Sequence, residues 1–296
     1  MGVFDRGGTG WAWLLVACGC GSTEPPPGPP PTRLQQQEIA TSVDGLSGLT
    51  TDGDGVHWSI AERDRALVTI PPEGRPRRVP LRGVPDGLDT ESIAWVEGAR
   101  FAVGTESMDE DRTSDVVLVV ELGADEARVV GQLEVPYAML GIEAEENRGV
   151  EGIAFVPGVS TNEWPGTLIV AMENVVERGG RRYAPLGVYA DGRWRRALVA
   201  LSTDTGKIAA LDARAVDGGI EVRAIERHYG VMRVLGFTLG PSAETITPTL
   251  VVDLAGRVRG DANLEGLTRV GDELWLIADN HHGRRTGPNL LVRVVP

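Results

Sequence analysis

The residues of this 296-residue chain best suited to chemistry are carboxylates that return at matched positions. Three segments open on Glu: Glu91-Ser92-Ile93-Ala94, Glu151-Gly152-Ile153-Ala154 and Glu265-Gly266-Leu267-Thr268. A fourth, Ser47-Gly48-Leu49-Thr50, has the same shape without the acid. Each leads through a turn into a second apolar stretch that ends in an acid, at Glu62, Glu106, Glu173 and Asp279. Taken in that order, the steps from motif to acid are 15, 15, 22 and 14 residues, the long one carrying an insertion at 160–165. Glu226 ends a fifth such stretch that has no clear opening motif. Carboxylates gathered at one place repel, and a hard cation with all-oxygen ligands keeps them ionised, which suits Ca²⁺. One candidate ring is Glu91, Glu151 and Glu265. The other is Glu62, Glu106, Glu173, Glu226 and Asp279, with Asn174 and Asn280 as neutral oxygen donors beside it. The metal ligands expected are Glu91, Glu151, Glu173, Glu265 and Asp279.

Proton transfer and anion binding have a second candidate location, Asp279-Asn280-His281-His282-Gly283-Arg284-Arg285. An acid beside an imidazole handles protons, and two guanidiniums grip a phosphate or carboxylate. The catalytic set expected is therefore Glu151, Glu265, Asp279 and His281, with Arg284 and Arg285 on the substrate. Other machinery is missing from the sequence. Gly45-Leu46-Ser47-Gly48 falls short of the G-x-S-x-G elbow, and there is no H-E-x-x-H, no P-loop at Lys207 and no G-x-G-x-x-G. Cys18 and Cys20 are the only cysteines, so no disulfide staples the remainder and no thiolate there serves as nucleophile or ligand. A net charge of −13 with a single lysine, Lys207, argues against a nucleic-acid binder, which needs clustered basic residues.

Short alternating apolar runs must position these groups. Val116 to Val120 and Leu274 to Ile277 are examples, ended by turns such as Asp191-Gly192 and Asp217-Gly218-Gly219. With 39 glycines, the chain reads as strands joined by hairpins. The strand-end acids at 62, 106, 173, 226 and 279 are spaced 44, 67, 53 and 53 residues apart. A four-stranded propeller blade takes about 40–50 residues, so the pattern predicts an all-β propeller over 40–296. Five or six blades fit that length, six being the count expected, and the strand at 290–295 is available to help close the ring. Trp58, Phe101, Phe155, Ile169, Trp275 and Ile277 are expected to be buried between blades.

The N-terminus has a separate logic. Trp11 to Ala17 is a seven-residue apolar run, too short to cross a bilayer, and it leads into Leu15-Val16-Ala17-Cys18, which resembles the lipobox of bacterial lipoproteins. That resemblance implies a signal peptide over 1–17 and acylation of Cys18. The following GSTEPPPGPPPT is too rich in proline for helix or sheet, and 18–39 is expected to be a stiff tether. The expected location is the bacterial cell envelope, with a lipid anchor in the membrane and a monomeric domain beyond it.

The motifs also carry a family likeness. Glu-Gly-Ile-Ala-Phe (151–155), Leu-Ile-Val-Ala-Met-Glu-Asn (168–174), Ile-Glu-Arg (225–227), Asn-Leu-Glu-Gly-Leu (263–267) and Ile-Ala-Asp-Asn (277–280) together resemble the phytase-like propeller family described as having esterase-like activity. The resemblance implies a metal-dependent hydrolase of small phosphoester or other ester substrates. Two alternatives stand beside it, a noncatalytic surface propeller and a lactonase similar to the senescence-marker-type propellers. A hexakisphosphate substrate sits poorly with one lysine and a charge of −13.

Lipid attachment at Cys18 is directly testable. Because each buried methylene of an acyl chain contributes about 0.8 kcal/mol, a Cys18→Ser protein should move from the membrane to the soluble fraction. Retention in the membrane fraction, or an unprocessed N-terminus by mass spectrometry, would remove the anchor.

Overall fold

The computed structural model describes residues 32–39, 43, 45–71, 75–158, 164–228, 230–241, 244–259, 262–279 and 288–295. The expected signal peptide, Cys18 and the Pro-rich run lie outside the described residues, as do Asn280, His281, Arg284 and Arg285.

Twenty-two strands are described. After β1 (Arg33–Ile39) come β2 (Leu46–Thr51), β3 (His57–Ala61), β4 (Ala66–Ile70) and β5 (Arg77–Arg82), paired in sequence order as one antiparallel unit. The next unit is β6 (Leu88–Glu97), β7 (Arg100–Ser107), β8 (Ser114–Leu122) and β9 (Ala127–Pro136), followed by the short helix α1 (Tyr137–Leu140). Its outer edge meets that of the first unit through the short parallel pairing of Leu81 and Arg82 with Ala127 and Arg128. The third unit holds β10 (Val150–Pro157), β11 (Gly166–Met172), β12 (Val176–Arg178), β13 (Arg181–Ala190) and β14 (Arg193–Ala200), with β12 a side hairpin on β13. The fourth is β15 (Lys207–Val216), β16 (Gly219–His228) and β17 (Val231–Leu239); β18 (Thr245–Ile246) then returns to β14, and β19 (Thr249–Asp253) completes the unit. The fifth has β20 (Asn263–Val270), β21 (Glu273–Asp279) and β22 (Asn289–Val295), and its outermost strand is β1.

The first strands of these units, β2, β6, β10, β15 and β20, contact one another in cyclic order, β20 returning to β2. This is a propeller of five four-stranded units among the described residues, not the six expected. The extra length is spent within the blades, where β6, β9, β13, β15 and β16 each run to ten residues. The core is divided the same way. Five clusters of buried apolar side chains each straddle one pair of neighbouring blades, for instance Trp58 and Leu67 with Ile93 and Phe101, or Ile169 and Leu186 with Leu211 and Ala224. Of the six side chains expected between blades, Trp58, Phe101, Phe155, Ile169 and Ile277 are buried and Trp275 is partly so.

Small residues at the second motif position make the ring possible. That position is Gly48, Ser92, Gly152, Ala210 and Gly266 in the five blades. A Cβ at Gly266 would lie 2.5 Å from the carbonyl carbon of Gly48, so inner strands of adjacent blades touch there backbone to backbone.

Residues 33–39 are not tether, as the sequence suggested, but β1, paired with β22 from Arg33↔Val295 to Ile39↔Asn289. Their mostly exposed, glutamine-rich pattern hides the strand, because an outermost strand has little to bury. Its pairing closes the ring by joining the first described strand to the last. Deleting residues 1–39 should therefore abolish cooperative melting or lower Tm by about 10 °C or more, while a deletion ending at residue 31 should leave it intact. Equal melting of the two proteins would show that β1 does not hold the ring.

Candidate functional site

The opening motif is repeated because a bulge is repeated. Each of β6, β10 and β20 shifts register by one residue at its glutamate, so that Glu91, Glu151 and Glu265 are the extra residues opposite their second strands. Blade four has the same shift at Ala209, which makes Ala209-Ala210-Leu211-Asp212 the fifth copy of the motif, with alanine where the acid stands elsewhere. A bulge re-aims the side chain it carries, and in these four blades it turns the first motif residue out of the ladder; in blade one Ser47 stays paired with Ile60 and the register shifts just after it.

Just outside the bulges, the register pairs Gly45 with Glu62, Asp89 with Glu106, Gly149 with Glu173, Lys207 with Arg227 and Asn263 with Asp279. These positions form the second ring. A Cβ at Gly149 would fall 2.6 Å from the Cα of Glu106, so glycine there lets Glu106 approach blade three. Both rings meet in one cavity of about 430 Å³. Seven of the recurring acids line it, Glu62, Glu91, Glu106, Glu151, Glu173, Glu265 and Asp279, joined by Asp89. The facing cations are Arg63, Lys207 and Arg227.

Glu106, Glu151 and Glu173 present carboxylate oxygens all within 4.8 Å of one another. Ca²⁺–oxygen distances of about 2.3–2.6 Å put two ligands of one ion at most about 5 Å apart, so this trio fits a hard divalent ion. Glu106 was placed on a ring by the repeat but was not among the expected metal ligands; its part emerges from the close packing of blades two and three. Glu91 is buried beside the trio. Glu265 is engaged by Arg227, and its Oε1 also accepts from Asn263 Nδ2 at 2.6 Å, while its Oε2 is buried without a partner. Lys207 Nζ forms an ion pair with Glu173 and lies 4.0 Å from Glu151.

Glu226 does not belong to the ring. The bulge shifts blade four by one residue, so Arg227 holds the ring position and Glu226 points into the turn before β15. Its carboxylate accepts the backbone N–H of Ser202 and Thr203 and both of their hydroxyls. Asn174 is likewise occupied, donating to the Glu143 carbonyl at 3.2 Å and to Glu145 at 2.9 Å. Sequence reasoning also missed Lys207 and Arg227. Aligning Ala209 with Glu91 and Glu151 would have found both, since the flanking residues then fall into register.

Crowding sets the electrostatics. Burial, and then the charges of Glu265, Asp279 and Glu151, raise the Glu62 carboxyl to about 9. Glu91 lies well above the usual carboxylate range, chiefly through burial and then the charge of Glu62. Glu106 rises to about 7 through burial and the charge of Glu151. Glu265 also rises to about 7, burial outweighing the opposing pull of Arg227. Burial lowers Lys207.

The sequence matches the model of the family described as "Phytase-like: Esterase-like activity of phytase" over residues 41–282. The chain belongs to this family. No curated protein sequence matches it. Among solved structures, it is similar to the PQQ-bound aldose sugar dehydrogenase of Streptomyces coelicolor, with TM-score 0.52 and 12% identity over 90% of this chain and 99% of that one. A putative oxidoreductase (glucose dehydrogenase) of Thermus thermophilus gives TM-score 0.50 and 11% identity over 89% of this chain and 100% of that one. At such identities these likenesses speak for the propeller fold alone.

The raised carboxyls make stability depend on pH in a stated direction. Glu62, Glu91, Glu106 and Glu265 stay protonated in the folded state at pH values where the unfolded chain has released those protons. Their contribution is complete below the unfolded value of about 4.5 and is lost as pH rises through about 7 and then about 9. In chelator, Tm should therefore fall between about pH 6 and pH 9, and calcium should restore more of it at the alkaline end. A Tm that rises over that interval in chelator would contradict the shared burial of these acids.

Proposed function

We propose that this family member is a metal-dependent hydrolase of phosphoester or other ester substrates, acting in the bacterial cell envelope at the end of a tether anchored through Cys18. The observation that carries the catalytic reading is the convergence of Glu106, Glu151 and Glu173 within 4.8 Å at a cavity in the ring. Membership in a family named for esterase-like activity supports the reaction class.

In this reading Glu106, Glu151 and Glu173 hold the ion. Bound there, Ca²⁺ supplies Lewis-acid polarisation of the ester oxygen and offsets the charge that develops on it. The chain's own residues do the remainder. Glu62, raised to about 9, keeps a proton on its carboxyl at neutral pH and lines the same cavity, so it is placed to protonate a leaving oxygen. Asp279 lines the cavity from blade five and serves as a proton acceptor. Glu265, tied to Arg227 and Asn263, positions that wall. His281, Arg284 and Arg285 directly follow Asp279 in sequence and keep their proposed roles in proton transfer and anion binding. Eight carboxylates facing three cations favour a substrate of few negative charges over a highly phosphorylated one. A lactone is a cyclic ester, and its opening falls within the same chemistry.

One observation favours a second reading, a noncatalytic propeller. Lys207 on Glu173 and Arg227 on Glu265 already supply counter-charge inside the ring. Metal analysis of the purified protein and a panel with p-nitrophenyl phosphate and p-nitrophenyl acetate separate the two. Hydrolysis that chelation abolishes, with kcat lowered on the order of 10²-fold in Glu151→Gln and Glu106→Gln, is the expected result. Turnover unchanged in both variants would leave the acids as structural groups and favour the noncatalytic reading.

A further inference from the structure

The only lysine of the chain stands at the metal-binding trio. Lys207 opens the inner strand of blade four, where the equivalent residues of the other blades are Gly45, Asp89, Gly149 and Asn263. No cation occupies that position elsewhere. Its side chain is largely buried, with 18% exposed, and its ammonium touches Glu173 while lying 4.0 Å from Glu151, two of the three acids that present oxygens to an ion. A centre of positive charge so close to two of the three ligands competes for the same oxygens.

We propose that Lys207 is a resident counter-ion that a divalent cation must displace, so that the ammonium and the ion are alternative occupants of the Glu106, Glu151 and Glu173 group. This rests on the metal-dependent reading of the site and adds to it a residue that sets how tightly the ion is held. With the ion absent, Lys207 keeps Glu151 and Glu173 from facing each other uncompensated. When the ion enters, the Lys207 side chain swings toward the open cavity, where Asp89 offers another carboxylate. The neighbouring Arg227 is held by Glu265 and does not move with it.

The test uses the full chain as wild type, Lys207→Met, which keeps the stem and removes the charge, and Lys207→Arg, which keeps the charge. In chelator, Lys207→Met should melt about 5–10 °C below wild type, as expected when one partner of a buried ion pair is removed. Lys207→Arg should recover at least half of that loss. Calcium titrated by calorimetry should bind Lys207→Met roughly tenfold or more tightly than wild type, because a like charge about 4 Å from the ligands is gone. Saturating calcium should also erase the melting difference. If Lys207→Met is too unstable in chelator to melt cooperatively, while Lys207→Arg folds and binds calcium like wild type, the counter-ion role is upheld. Equal or weaker calcium binding by Lys207→Met would overturn the proposal and leave the metal reading standing. Binding by neither protein would overturn both. Unchanged melting of Lys207→Met in chelator would show that the acids need no resident cation.

Discussion

The pairing of β1 with β22 is the constraint on which the other features depend. A blade has one apolar face toward each neighbour, and an open row of five would leave two such faces in water. Closure lets the cluster around Ile39, Leu46, Val68 and Ile277 form between the last blade and the first. It also brings β20 against β2, where Gly266 meets the Gly48 backbone so closely that it has no room for a side chain, as Gly48 has none against β6. A five-bladed ring is narrow, and its inner strands approach one another more tightly than a wider ring would require. That narrowness places groups from different blades in one cavity of a few hundred cubic ångströms.

Charge is what the narrow ring must then accommodate. Two carboxylates about 4 Å apart repel by roughly 4 kcal/mol at the effective dielectric of a protein surface, so eight of them cannot all be ionised beside three cations. Three remedies coexist in the molecule. Glu62 and Glu91, whose carboxyls burial and neighbouring acids raise furthest, keep their protons. Blade four puts Arg227 where the other blades carry an acid and Lys207 where they carry Gly, Asp or Asn, and the two reach Glu265 and Glu173. The trio of Glu106, Glu151 and Glu173 retains oxygens close enough to share an ion. Protonation, internal ion pairing and metal binding are alternative answers to one crowding problem, and each becomes more favourable as another is withdrawn.

Much of this was legible in the sequence, and the failures have physical causes. The motif at 91, 151 and 265 is visible because a bulge and a close inter-blade contact both impose residue type, acid on the bulge and small residue after it; at 47 only the small residue that follows is shared. The fifth copy escaped because Ala209 carries no acid, and with it went the correct register of Glu226. The strand at 33–39 escaped for a different reason. What stabilises it is the backbone edge of β22, and hydrogen bonding to a backbone leaves no trace in side-chain pattern. Convergence of Glu106 with Glu151 and Glu173 is a contact between blades, which no periodicity within one blade can encode.

Blade four's departure from the repeat gives the ring a direction. Were all five blades alike, the cavity would be uniformly acidic, and an ion would find no preferred sector. Lys207 and Arg227 put two of the three lining cations in blade four, while Arg63 comes from blade one beside Glu62. The trio lies at the boundary, since Glu151 and Glu173 come from blade three, next to blade four, and Glu106 from blade two. An ion held there would have the charge of Arg227, fixed by Glu265, on one flank and proton-bearing carboxyls on the other. Loss of symmetry in a single repeat is thus enough to turn a ring of like charges into a site with distinct ends.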